Sequence, residues 1–255
     1  MTYKIKNTKN ITNKRIIGIW GYPDPIVLKK MQNEYLDHEF IDLDINFNFP
    51  SSNIHPDAYC RIISNIIDNA MHLKDKIDLI VASVGEEKCD SARFAAKILE
   101  DLGFKIIQTK YINYDDSKEI LTPVCASSIP LKEKIIKIMN GILSPQEGLE
   151  TCECSLAAFG FWGVPPNDMS ILELFPDNTH VFGWTRCVEA KRPADIDLEM
   201  YVDESLPTVF FAQTFCAKMQ LAKYLAKKYN GLYVDADDIA SNSVKAKIQA
   251  FIRLG

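Results

Sequence analysis

No run of this 255-residue chain is apolar for long enough to cross a bilayer; stretches such as Thr208–Ala212 fall far short of the roughly 20 residues a spanning helix needs. Nor does any block concentrate Lys and Arg, and the net charge is -5, so the electrostatic footprint of a nucleic-acid-binding protein is missing. The opening MTYKIKNTKNITNK lacks the apolar core of a signal peptide, which points to a soluble protein kept in the cytoplasm. On that reading the Asn10-Ile11-Thr12 sequon has no consequence. Glycines are few, 11 in all, and none falls into G-x-G-x-x-G or G-x-x-x-x-G-K-[ST], so neither a dinucleotide fingerprint nor a P-loop is present. A disulfide framework is also missing: the seven cysteines are odd in number and irregularly spaced.

What is present is ordinary globular material, 47% hydrophobic and 25% charged, arranged as alternating strands and helices. Arg15–Tyr22, Glu39–Ile45, Ile77–Val84 and Phe104–Thr109 read as strands, and Ile26–Leu36, Pro56–Leu73 and Ser91–Leu102 as helices. After residue 150 the pattern restarts. Strands are expected at Ser155–Gly163, His180–Cys187, Pro207–Phe215 and Leu232–Asp235, with helices at Asp168–Phe175, Ala217–Tyr229 and Ser243–Ile252. Such alternation predicts an α/β fold with parallel sheets: two similar Rossmann-like or flavodoxin-like lobes around an interlobe cleft. The expected divisions are a polar tail at 1–14, an N-terminal lobe at 15–112, a connector with one helix (Pro130–Leu143) at 113–150 and a C-terminal lobe at 151–255.

Two landmarks argue for internal duplication. Gly18-Ile19-Trp20-Gly21-Tyr22-Pro23 and Gly160-Phe161-Trp162-Gly163-Val164-Pro165 share the pattern G-x-W-G-x-P, each ending an apolar strand. Cys89 and Cys216 each follow a third strand and precede a helix containing Ala-Lys-x-Leu. The interval from tryptophan to cysteine is 69 positions in the first half and 54 in the second, so the second is 15 shorter, between its second and third strands.

In parallel α/β sheets ligands bind beyond the carboxyl ends of the strands. That rule collects Trp20, Gly21, Pro23, Gly85, Glu86, Glu87 and Cys89 from the first half, and Trp162, Gly163, Pro165, Asn167, Asp168, Arg186, Cys187, Glu189, Gln213, Thr214 and Cys216 from the second. The tryptophans and glycines could form a ligand platform or merely strand-end turns. Arg186 could clamp an anion bidentately, and Asp168 or Glu189 could act as a general base. Cys89 and Cys216 sit at helix starts, where the dipole favours a thiolate. Facing each other across a cleft, they could take a proton from one side of a carbon acid and return it on the other. If instead they are small buried hydrophobes, no such chemistry follows.

These two lobes, each with a cysteine after a central strand, resemble the aspartate/glutamate racemase superfamily, and Ile17-Gly18-Ile19-Trp20-Gly21 is loosely similar to its glycine-rich first turn. The resemblance is mainly architectural and covers the whole chain. It implies an isomerase or racemase-like enzyme, or a related lyase, acting on a small anionic metabolite. The chain departs from the family pattern where Asp90-Ser91 follows Cys89, where Ala217 follows Cys216, and where ADIDLEMYVDES replaces the helix expected before the last cysteine-bearing strand.

Two further readings stay open. Cys152, Cys154, His180 and Cys187 could hold zinc or an iron–sulfur cluster in a metal-binding redox or methyl-transfer protein. One ion cannot take all four, because a strand of about six to eight residues at ~3.3 Å each separates its ends by roughly 20 Å. Alternatively, the chain is a non-catalytic two-lobed ligand-binding module in which Trp20 and Trp162 sandwich the ligand. The partners implied are a small anionic metabolite and a second copy of the chain as a homodimer, without nucleic acid or membrane. No cofactor is firmly implied beyond the zinc or iron–sulfur alternative.

Overall fold

A computed structural model of the chain describes residues 14–85, 88–110, 120–141, 152–192 and 195–255. Residues 1–13 of the expected tail, Glu86 and Glu87 lie outside the described residues. The chain divides into two compact units, the first containing the described residues through Lys110 and the second those from Ile120 onward.

In the first unit, strands β1 (Ile16–Trp20), β2 (Glu39–Asp42), β3 (Ile77–Ser83) and β4 (Ile106–Thr109) form one sheet in the order β2-β1-β3-β4, every pairing parallel. The central strands are covered on both faces, which is why β1 is continuously apolar rather than alternating. Ile17 and Ile19 pack with Leu28 and Met31 of helix α1 (Pro25–Glu34), together with Phe40, Leu79 and Val81. Pro25 opens α1 and the Asp24 side chain accepts from the Ile26 N–H, a cap the Asp-Pro pair makes legible in the sequence.

Helix α2 spans Arg61–His72, whereas the apolar spacing predicts a start near Pro56. Residues 43–60 are irregular and held to α2 by its polar side chains. Asn69 Nδ2 donates to the carbonyls of Leu43 and Ile45, Asn65 Nδ2 donates to that of Asp44, and Asp68 accepts from Ser52 N–H, Ser52 Oγ and His55. Burial alone would raise the Asp68 carboxyl, but the Ser52 and His55 bonds outweigh it and hold the group below its ordinary value. A carboxyl lowered by folding stabilises the fold at pH values above its unfolded pKa and loses that effect as pH falls through the folded one. Asp68→Asn is therefore expected to cost about 1.5–3 kcal/mol in urea unfolding at pH 7. The gap between variant and wild type should narrow at pH 3; an equal gap at both pH values would contradict this role. Helix α3 (Asp90–Asp101) completes the unit, burying Ala92, Ala95, Ala96 and Leu99.

The second unit repeats the topology. Helix α4 (Leu131–Asn140) comes first, then β5 (Phe159–Gly163), a 3₁₀ turn over Met169–Leu174, β6 (Thr179–Phe182), β7 (Thr208–Gln213) and β8 (Leu232–Ala236). The strand order is β6-β5-β7-β8, again wholly parallel, so β5 to β8 stand where β1 to β4 do. Between β6 and β7 lie two short helices, α5 (Trp184–Glu189) and α6 (Ile196–Met200), where the sequence suggests almost no helix. Helices α7 (Lys218–Lys228) and α8 (Asn242–Leu254) follow β7 and β8.

The strand expected over His180–Cys187 ends at Phe182, and Arg186 and Cys187 are helical instead of alternating across a sheet. The break is at Gly183, whose φ of 73° few other residues adopt, and where a Cβ would lie 2.8 Å from Trp162 Cε2. The connector is also part of this unit. Val181 N–H donates to Cys125 O, Ser155 N–H donates to Ala126 O, and Ser127 bridges Cys154, so the segment lies along the outer side of β6. Lys134 of α4 is fully buried, with Nζ donating to the carbonyls of Asp177 at 3.0 Å and Thr179 at 2.5 Å, and burial lowers its pKa to about 8.

Candidate functional site

In each sheet the chain leaves its first strand in one direction and returns beyond it to form the third. The topological switch points are therefore at the carboxyl ends of β1 and β3 and of β5 and β7.

At the first switch point the backbone turns at Gly21, whose φ is 69°. Its N–H donates to Asp44 Oδ2 at 3.0 Å, and Asp44 N–H donates to Asp42 Oδ1 at 2.9 Å. Lys88 lies over the same glycine: a Cβ on Gly21 would stand 2.6 Å from Lys88 Nζ. Ser83 Oγ donates to Tyr22 O and Asp24 N–H donates to Thr109 Oγ1, so the ends of all four strands are tied together. Burial raises both carboxyls. Asp42 rises well above its ordinary value, helped by the neighbouring Asp44, while Lys88 pulls both back down. Asp44 Oδ1 and Trp20 Nε1 are buried without a hydrogen-bond partner. Two buried carboxyls beside a lysine at a switch point make this end of the sheet the candidate site. Sequence reasoning missed Asp42, Asp44 and Lys88; the only signal was two acids two positions apart at the end of a strand.

Trp20 is 1% exposed and presents no ring face to a ligand. Cys89 is the exposed residue before α3, with no side-chain cap formed there.

At the second switch point the expected residues divide. Trp162 is fully buried among Phe182, Val202, Phe210 and the α7 residues Ala222, Leu225 and Ala226, and its Nε1 donates to Glu199 O at 2.7 Å. It is a core residue, which corrects the sandwich expectation. Gly163 O accepts from Thr185 Oγ1 at 3.0 Å, and Thr214 N–H donates to Ala236 O. Arg186 stacks over Tyr201 at 4.9 Å and its Nε donates to Thr122 Oγ1, so the guanidinium is engaged within the unit.

The two expected general bases are committed to the backbone. Glu189 Oε1 accepts from Val124 N–H at 2.7 Å and Oε2 from Cys125 N–H at 2.8 Å. Asp168 Oδ1 accepts from Ser170 N–H and Oγ; Oδ2 accepts from Ala240 N–H and pairs with Lys245. Burial raises the Glu189 carboxyl, whereas the Ser170, Ala240 and Lys245 contacts outweigh burial and lower that of Asp168. Gln213, the last residue of β7, is fully buried; its Oε1 accepts from Asn167 N–H at 3.5 Å, and its Nε2 has no partner. Asn167 Nδ2 donates to Asp238. Cys216 is half-buried beside this turn.

The expected metal ligands are not assembled. Cys187 is sealed inside, where burial lifts its thiol to about 12, and His180 Nε2 is bonded to Ser155 O. Cys154 is exposed and Cys152 half-buried. Among the described residues no three His, Cys, Asp or Glu side chains are grouped to hold an ion.

Fold and site together define a class: a protein of two parallel α/β units with the same strand order, each carrying buried polar groups at its switch point. No protein-family model matches the chain, and no curated protein matches it. Two solved structures to which it is similar are of the SBP FpvC from Pseudomonas aeruginosa, one in complex with Mn2+ and one with a Ni2+ ion. Identity is 12% in both; the alignments cover 94% of this chain and 98% and 96% of those chains, with TM-scores of 0.22 and 0.23. Overlap that slight says nothing about what this chain binds. No described helix is long and apolar enough to cross a membrane.

Proposed function

We propose that this chain is a non-catalytic binding protein for a small polar metabolite, seated at the carboxyl ends of its parallel strands. The observation that carries the reading is Asp44: one carboxylate oxygen is fixed by Gly21 N–H, and the other is buried near Lys88 at the switch point without a hydrogen-bond partner among the described residues. An unpaired buried acceptor costs about 1–3 kcal/mol, a cost a ligand hydroxyl or ammonium group offsets by donating to it. Catalysis has less support. Both candidate general bases are committed to backbone N–H groups, and acid/base chemistry by Cys89 and Cys216 rests on the architectural resemblance alone.

The test begins with protein purified without denaturation, heat release of any bound small molecule, and its identification by mass spectrometry. The released compound should raise the melting temperature when added back. Asp44→Asn keeps an acceptor for Gly21 N–H but removes the charge, and is expected to weaken binding by at least about tenfold. Cys89→Ser and Cys216→Ser should bind as wild type. Turnover of the compound that either cysteine variant abolishes would overturn the non-catalytic reading in favour of an isomerase.

A further inference from the structure

Between β2 and α2 the chain runs through residues 43–60 without regular structure, whereas connections in parallel α/β units are usually about two to six residues long. Asn65, Asp68, Asn69 and His72 share one face of α2, and the first three are buried, which such residues seldom are unless polar groups lie against them. This segment supplies those groups. Asn65 and Asn69 hold the carbonyls of Leu43, Asp44 and Ile45, Asp68 holds Ser52 and His55, and His72 Nε2 donates to Pro50 O with its ring stacked on Phe49. The acid of the candidate site and the far part of the segment are therefore moored on the same helix face.

His55 is the mooring that can be released. Its side chain is 5% exposed, with Nε2 at 3.0 Å from Asp68 Oδ2 and Nδ1 at 3.0 Å from Pro56 O. Neither neighbour has a proton to give: Pro56 O is a carbonyl, and the Ser52 bonds hold the Asp68 carboxyl below its ordinary value, ionised at neutral pH. Both ring nitrogens must then donate, which only the imidazolium does. Among the described residues, the titratable groups placed against the ring are Asp68 of α2 and Tyr59, which stacks on it within the segment. His72, one turn farther along the helix face, needs a single proton for its bond to Pro50 O.

We infer that residues 43–60 form a pH-operated strap on the first unit, closed while His55 carries two ring protons and released when it loses one. The inference rests on the reading of Asp44 as a ligand-binding acid and adds the regulation of that site. Removing one proton turns a buried N–H donor into a lone pair facing an acceptor, so the bond to Asp68 or to Pro56 becomes a repulsion. Imidazole ordinarily titrates within about pH 5 to 8, so the strap is closed at the acid end of that range and open at the alkaline end. Asp44 follows, because Asn65 and Asn69 fix its backbone only while the segment lies on α2.

The test is NMR of the full chain labelled with 13C and 15N, without ligand, followed from about pH 5.5 to 8.5. At the acid end both His55 ring nitrogens should be protonated. Solvent exchange of the Ser52 amide, which donates to Asp68, should be at least about tenfold faster at the alkaline end than the intrinsic pH dependence of exchange accounts for. The Gly21 amide reports its bond to Asp44 and should show a step at the midpoint of the His55 ring. His55→Gln does not titrate and should lack both effects, while His72→Gln should keep them. The ring and amide titrations of the wild type decide the matter even where the glutamine variant fails to fold. A His55 ring with one proton at the acid end, Ser52 exchange that follows intrinsic chemistry alone, or a Gly21 amide without that step would each overturn the proposal. At about pH 5.5, His55→Gln should bind the compound released from the purified protein at least about threefold more weakly than wild type. Wild-type affinity there would end the strap's regulatory role and leave the binding reading in place; a strap that opens on a protein that binds no compound would contradict the binding reading and not the strap.

Discussion

Trp162→Ala is expected to lower the free energy of unfolding by about 3–5 kcal/mol, measured by urea denaturation. The side chain is fully buried against Phe182, Phe210 and the apolar face of α7, and its truncation leaves a cavity in the middle of the second unit. The loss extends beyond volume. Trp162 Nε1 donates to Glu199 O, and Glu199 pairs with Lys218 at the start of α7, so one indole connects β5, α6 and α7. Gly183 fits against the same ring, and any larger residue there would collide with it. If Trp162 were instead a ligand platform, the alanine variant would be nearly as stable as wild type and would lose only binding.

The second large effect is expected at Glu189. Glu189→Ala removes both acceptors from Val124 and Cys125 N–H and leaves two buried donors unpaired, at about 1–3 kcal/mol each. The connector should then come away from β6, exposing Cys125, which is 2% exposed in the native fold, to a thiol reagent. Glu189→Gln retains one acceptor and should fall between the two. A general base would behave differently: glutamine would be as stable as wild type and inactive. Equal stability of all three proteins would contradict the capping role.

The architecture was legible because each central strand is buried on both faces and so written as a continuous apolar run, with turns marked by Gly, Pro and Asp. The repeat was legible from the paired Gly-x-Trp-Gly-x-Pro turns, and the common strand order agrees with it. The end of β6 was not. Val181, Phe182, Trp184 and Val188 look strand-like, and the decisive residue, Gly183, matters because of Trp162, which lies 21 positions away in the sequence and against it in the fold.

The site was harder still. Glu189 and Asp168 read in the sequence as candidate general bases, because acids that cap backbone N–H groups and acids that take protons look alike there. Asp42 and Asp44 read as ordinary polar positions of an alternating strand. Their perturbation depends on burial and on Lys88, which arrives from the turn after β3. Gln213 was legible only as a strand-end residue, because an unpaired amide can be recognised only once its surroundings are known.

The most direct measurement is the map of amide shifts produced when the small molecule released from the purified protein is added back to 15N-labelled chain. The account predicts perturbation at the carboxyl ends of the first unit's strands, at Gly21, Asp44, Ser83 and Lys88. Shifts confined to the amino ends of those strands, around Arg15, Glu39, Lys76 and Lys105, or no bound molecule at all, would contradict it.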